Sequence, residues 1–306
     1  MDAHGVYPRG LDGSFAHHDF RAMGTDVALI GPGATDDPTL LRASASIEGV
    51  FAREEQRFSR FRADSELSRV NAATGRWTQV TSPFADLVEI ALTHAELTDG
   101  LFDPTVLDAM VAAGYDRDFD EVVAGARGAL RPPHPCGRWR EIETRRGAIR
   151  LPTGVGLDLG GIAKGWAVDL ATEAALHAGL PWSLVNAGGD LRIAGDAPPI
   201  DVRIEDPGDP GGTAASLRLA SGAIASSSTM RRAWGPRLHH IVDPRTGAPA
   251  DSPFVQATVW AATCAEAEGL ATWALLTGAS AMDTVSCALV SRDGDLLVNF
   301  GSEMVA

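Results

Sequence analysis

Cysteine is scarce in this chain. Cys136, Cys264 and Cys287 are an odd number with no pair at metal-ligand spacing, which argues against a disulfide framework and a structural zinc site. Basic residues are outnumbered, 26 lysines and arginines against 40 aspartates and glutamates. The resulting charge of −14 argues against nucleic acid and an anionic membrane surface as partners, since both need a clustered positive field. A single anionic ligand is still allowed, because backbone N–H groups, a few basic side chains and a metal bind a phosphate locally. No apolar run is long enough to span a bilayer, and Met1 to Pro8 lack a basic stretch followed by an apolar one. Neither membrane insertion nor a secretory signal is expected, and the default compartment is the cytoplasm. With 45% apolar and 22% charged residues, the 306-residue chain has the composition of a globular protein with a sizeable core.

The punctuation of the chain predicts α+β, a single compact domain of mixed and antiparallel sheets packed by helices, over residues 19–306. Residues 1–18, rich in Gly, His and Asp, read as a flexible tail. A strand ends near residue 30. Asp37-Pro38 opens a first helix with apolar spacing through Leu40, Ala43, Ile47, Val50 and Phe51. Ser82-Pro83 opens a second that places Phe84, Leu87, Val88, Ala91 and Ala95 on one face and ends at Gly100. Asp103-Pro104 repeats the opening signal. The Arg-, Pro- and Gly-rich stretch 125–137 reads as a surface connection, followed by a hairpin around Arg146-Gly147. A helix is expected over 161–177. Short strands are expected at 183–186, 191–194, 200–205, 216–219, 239–242 and 255–262, then a helix over 264–276 and a hairpin turning at Asp293-Gly294.

Four segments suit a bound pyrophosphate. Asp158-Leu159-Gly160-Gly161-Ile162-Ala163-Lys164-Gly165 lies between an expected strand and a helix, where glycines let backbone approach a ligand and a helix N-terminus faces an anion. By itself it reads equally well as a structural turn. Val185-Asn186-Ala187-Gly188-Gly189-Asp190 alone reads as a tight turn between strands. His239-His240-Ile241-Val242-Asp243-Pro244 offers a histidine that can take a proton from a hydroxyl, although two adjacent strand histidines point to opposite faces. Glu268 and Thr272, four apart on a helix, share a face and are hard oxygen donors suited to magnesium; alone, the pair reads first as a solvated glutamate and a back-bonding threonine.

Taken in order, these segments resemble the FAD:protein FMN transferase (ApbE-like) family. Three upstream segments agree with it: Met23-Gly24-Thr25, the stretch from Phe58 to Asn71 that includes Ser65 and Glu66, and Asp99-Gly100-Leu101-Phe102-Asp103-Pro104-Thr105. The resemblance runs from about residue 20 to 280. It implies an α+β fold that binds FAD, with Met23, Phe61, Leu101, Phe102, Asp103, Asp158, Lys164 and Val242 toward the ligand. It also implies a magnesium ion, with manganese as a substitute, held at Gly161, Glu268 and Thr272 beside Ala271. His240 maps to the general base. The implied reaction cleaves the FAD pyrophosphate, attaches FMN through a phosphoester to a Thr or Ser hydroxyl of an acceptor redox flavoprotein, and releases AMP.

Three positions depart from the family's pattern. Glu268 stands where many members carry aspartate, Ser226-Ser227-Ser228-Thr229 where many read Ser-Gly, and Phe61 where tyrosine is common. A metal-dependent FAD pyrophosphatase and a non-catalytic flavin-binding protein are the alternatives to the transferase. The sequence does not separate transferase from pyrophosphatase, because the acceptor lies on another chain; the glutamate is the feature that favours the non-catalytic protein.

Overall fold

The computed structural model describes residues 15–124, 132, 136–209, 211–235 and 237–301. Helices and antiparallel sheets are both present, as expected for α+β. The described residues gather into two compact units with interleaved segments. One comprises the chain up to Arg53, Lys164–Ser227 and everything from Pro253; the other comprises Glu54–Ala163 and Ser228–Ser252.

The first unit is built on an eight-stranded sheet. In spatial order its strands are Phe15–Ala22, Thr25–Pro32, Trp182–Ala187, Asp190–Gly195, Gly222–Ser228, Phe254–Ala261, Cys287–Ser291 and Leu296–Val298. Alternation of side chains across each strand supplies two apolar faces. Val27, Leu29, Val185 and Ala187 pack with Leu40, Ile47, Phe51, Val168 and Ala171 of the helices Pro38–Phe58 and Ala163–His177. Leu184, Leu191, Ile193 and Ile224 face the other way, onto Ile200, Val202, Leu217 and Leu219 of the hairpin Ile200–Glu205/Thr213–Leu219. The sheet is therefore covered on both sides.

The second unit is made of smaller parts. The helix Ser82–Leu97 buries the expected face of Phe84, Leu87, Val88, Ala91 and Ala95. A three-stranded sheet runs Trp77–Gln79, Ala148–Arg150, Glu143–Arg145. A second cluster joins Ala109, Met110, Tyr115, Trp234 and Val242. No helix among the described residues is long and apolar enough to cross a membrane.

Several expectations need correction. Phe15–Ala22 is a strand paired with Thr25–Pro32, so residues 15–18 are not tail; 1–14 lie outside the described residues. Its alternation is weak (His17, His18 and Asp19 are adjacent), which hid it. Gly222–Ser228 was also missed, because a run of serines and alanines has little strand propensity. Asp103-Pro104 opens a turn rather than a helix: the carboxylate accepts the Thr105 N–H, and the helix begins only at Leu107. The single strand expected at 239–242 is two, Leu238–His239 and Val242–Asp243, interrupted at His240. Most of the 125–137 connection lies outside the described residues.

Candidate functional site

In the first unit, the start of the helix Ala163–His177 meets the start of the helix Cys264–Thr277. A Cβ added at Gly165 would lie 2.5 Å from the Cys264 carbonyl oxygen and 2.8 Å from the Ala265 nitrogen, so only glycine permits this approach. The two helices cap each other. Glu268 Oε2 accepts the Gly165 N–H at 2.8 Å, and Asp169 accepts the Cys264 and Ala265 N–H groups at 2.8 and 2.9 Å. Each carboxylate thus satisfies first-turn amides of the opposite helix, where the helix dipole also favours negative charge.

Lys164 sits at the same junction. Its ammonium pairs with Asp190 and lies 3.7 Å from Glu268 Oε1. Asp190 is buried, and its other oxygen accepts the Ser226 N–H at 3.2 Å. It lies just past the Gly188-Gly189 turn, whose φ values of 62° and 99° require glycine-like freedom. Thr272, one turn beyond Glu268, shares a hydrogen bond with Ser227 at 3.0 Å, and Ala271 beside it is fully buried. Ser226 in turn bonds Thr258 at 2.7 Å. The serine run that departs from the family pattern is therefore wired into this cluster. Met23, at φ 50°, forms with Gly24 the tight turn between the first two strands and packs on the helix-side core.

Burial pushes the Asp169 carboxyl up, offset by the two amides and by Arg192, whose Nη1 is 3.4 Å away. Burial pushes the Cys264 thiol well up, which leaves it an inert core residue.

In the second unit, Asp158 is held from both sides. Its Oδ1 accepts the Gly160 N–H at 2.7 Å, and its Oδ2 is 2.8 Å from Arg60 Nε. The Arg60 guanidinium lies 4.2 Å from the Phe61 ring centre and 4.4 Å from that of Tyr115, and donates to the Tyr115 carbonyl at 2.8 Å. Phe61 keeps 39% exposure. Asn71 clamps the loop before Asp158, donating to the Leu157 carbonyl and accepting the Leu157 N–H. Ser65 caps the short helix that carries Asn71 by accepting the Ser68 N–H at 2.9 Å. This accounts for the Ser-Glu-x-x-Arg-x-Asn pattern as scaffolding.

Asp103 is buried and committed to the fold. Oδ1 accepts both the N–H and the hydroxyl of Thr105, and Oδ2 accepts the Gly137 N–H. Burial raises its carboxyl despite those donors. Phe102 is buried edge-on to His94, Leu101 beside it is half-buried, and a Cβ at Gly161 would be 3.5 Å from the Phe102 ring. His240 follows the strand break. Burial, helped by the nearby Arg232 charge, pushes its imidazole down to about 3, and its Nδ1 is buried without a hydrogen-bond partner. His239, in contrast, hydrogen-bonds the Ala250 carbonyl at 3.1 Å. Val242 is buried in the Tyr115 cluster.

Lys164 and Glu268 are thus brought together in the first unit with Thr272 a turn away; Phe61 and Asp158 are linked through Arg60 in the second. Sequence reasoning missed Asp190, Asp169 and Arg60. Asp190 was signalled by the Gly-Gly turn before it. Asp169 carried a signal as an acidic residue on the apolar side of a helix. Arg60 carried none. No group of three or more His, Cys, Asp or Glu side chains able to hold a metal occurs among the described residues.

Comparison with known proteins identifies the family. The chain is 30% identical over 267 residues to an FAD:protein FMN transferase of Vibrio cholerae, covering 81% of this chain and 76% of that protein. It is 31% identical over 263 residues to one of Chlamydia trachomatis, covering 81% and 79%. The crystal structure of the ApbE protein from Thermotoga maritima superposes with a TM-score of 0.82 at 25% identity, covering 93% of this chain and 97% of that one. Residues 23–291 match the ApbE family, and the chain belongs to it.

Proposed function

We propose that the protein is an FAD:protein FMN transferase that passes FMN to a Thr or Ser hydroxyl of an acceptor redox flavoprotein and releases AMP, in the presence of magnesium or manganese. The observation that carries this reading is the buried Lys164–Asp190–Glu268 cluster at the meeting of two helix N-termini, in a chain of this family. Lys164 supplies a positive charge suited to a pyrophosphate, while the amides of Gly165, Cys264 and Ala265 are taken by Glu268 and Asp169.

The donor chemistry fits a divalent cation. Glu268 spends Oε2 on the Gly165 amide and turns Oε1 toward an ammonium, so a cation is already drawn to that oxygen. The Thr272 hydroxyl adds a second hard donor, and the Gly161 carbonyl is the third by resemblance. A divalent cation there would offset the charge that gathers on phosphoryl oxygens during transfer. Lys164 contributes a positive charge to the same oxygens. By resemblance, the part-exposed Phe61 ring and Met23, Leu101, Phe102, Asp103, Asp158 and Val242 are the FAD-contacting residues. His240, again by resemblance, is the residue that takes the acceptor hydroxyl's proton at its imidazole.

The deciding experiment incubates the protein with FAD, magnesium and a threonine-bearing redox flavoprotein. A protein-bound FMN found by mass, with AMP released, supports the transferase. Free FMN and AMP alone would make it a pyrophosphatase, and intact bound FAD a flavin-binding protein.

A further inference from the structure

Asp169 touches none of the groups assigned to the reaction, yet it is buried at the junction that holds them. It lies on the helix Ala163–His177, and both its oxygens receive first-turn amides of the helix Cys264–Thr277. Cys264 and Ala265 precede Glu268 by one turn or less. Gly165, four residues before Asp169 on the same face, is the donor to Glu268 and the point of backbone contact between the helices. Arg192 backs Asp169 at 3.4 Å and is itself tied to Glu173. The Asp169–amide and Glu268–amide contacts therefore form a closed pair of cross-caps. The Asp169 contact holds the first turn of the second helix by two hydrogen bonds, and the Glu268 contact ties the same helix back by a third.

We infer that Asp169 is a positioning residue: by fixing the first turn of the helix Cys264–Thr277, it sets where the Glu268 carboxylate and the Thr272 hydroxyl stand to receive a divalent cation. The inference rests on the transferase reading for the cation. A neutral amide cannot replace the carboxylate. Asparagine would accept one N–H and present a donor to the other, or to Arg192.

Manganese binding followed by electron paramagnetic resonance tests this without turnover. Asp169→Asn is expected to weaken Mn²⁺ binding on the order of tenfold or more, the size of effect seen when groups that orient a metal ligand are lost. In the transferase assay it should raise the metal concentration needed while kcat recovers at saturating metal. Thr172→Val is the structural control: it removes a buried hydroxyl that bonds the Val168 carbonyl on the same helix, and should lower stability but leave Mn²⁺ affinity at the wild-type value. Amide exchange on the wild-type chain covers a variant that fails to fold: Cys264 and Ala265 should be among the slow amides. Wild-type Mn²⁺ affinity in Asp169→Asn, or fast exchange at both amides, overturns the inference. A wild-type chain that binds no Mn²⁺ overturns the metal reading itself, and the inference with it.

Discussion

Replacing Gly165 by alanine reverses the usual sign of a helix substitution. In an open helix the change stabilises by roughly 1 kcal/mol, because glycine loses more backbone freedom on folding. Here the new methyl carbon would stand 2.5 Å from the Cys264 carbonyl oxygen, 2.6 Å from its carbon and 2.8 Å from the Ala265 nitrogen. Carbon–oxygen contacts settle near 3.3 Å or beyond, so the two helix starts must part by roughly 0.8 Å, the difference between those distances. That displacement carries the 2.8 Å bond from Gly165 to Glu268 past hydrogen-bonding range, and strains both Asp169 caps. Overpacking costs about 1–3 kcal/mol and a hydrogen bond to a charged group about 1.5–3. Less the propensity gain, the net is a loss of about 2–5 kcal/mol. Urea unfolding measures it. Gly49→Ala is the internal control: it lies in the helix Pro38–Phe58, where a Cβ meets only the flexible tip of Arg53 at 3.2 Å, and should gain about 0.5–1 kcal/mol. If Gly165→Ala matched or exceeded wild-type stability, the close helix contact and the cross-capping argument would both be wrong.

Glu268→Asp shortens the side chain by one methylene and withdraws it from the Gly165 amide; it should lower the unfolding free energy measured in urea by about 1–2 kcal/mol, whereas Glu268→Gln, which keeps the reach, should hold stability better and lose metal-dependent turnover. A Gln variant with wild-type turnover across a magnesium titration would remove Glu268 from the metal site. His240 is held at about 3, below the unfolded histidine value near 6.5, so the unfolded chain binds its proton first and stability falls as pH drops through that window. At pH 5 the loss from His240 is about 2 kcal/mol, and His240→Gln should flatten the dependence of the urea midpoint between pH 7.5 and 5; an unchanged slope refutes it. Arg60→Met strands the buried Asp158 carboxylate and should cost about 3–5 kcal/mol, with Asp158→Asn in the same chain recovering much of it; no recovery would mean that the aromatic contacts of Arg60, not the ion pair, carry the effect.

The sequence made the helices legible wherever an early proline and an apolar face coincide, as at Ser82–Leu97. It made the closing hairpin legible through Asp293-Gly294. Strands were lost where alternation is weak. At Gly222–Ser228 serine and alanine line both faces, and burial comes from neighbouring strands rather than from the segment's own pattern. The division into two units was hidden because their segments interleave, with no change of composition at Ala163 or Ser227. For the candidate site, ordered motifs located Lys164, Glu268 and Thr272. They could not reveal that Asp190 is the partner of Lys164, since a pairing 26 residues apart depends on the hairpin that returns the chain.

Glu268 stands where the family pattern has aspartate, one methylene shorter. The geometry around it accounts for the difference. A ligand at this position must reach across from one helix to the start of another and still leave an oxygen for a cation. Glu268 does both, with Oε2 on the Gly165 amide and Oε1 toward Lys164. The longer side chain therefore does not float; it is anchored by an amide whose position is itself fixed by the backbone contact at Cys264. Anchoring one oxygen removes much of the rotamer freedom that makes glutamate a loose ligand for a cation with strict geometry. Thr272 is steadied in the same way by Ser227, one of the serines that departs from the family pattern. Two apparent departures, Glu268 and the serine run, thus bear on the same helix Cys264–Thr277, Glu268 through the Gly165 amide and Ser227 through the Thr272 hydroxyl one turn on.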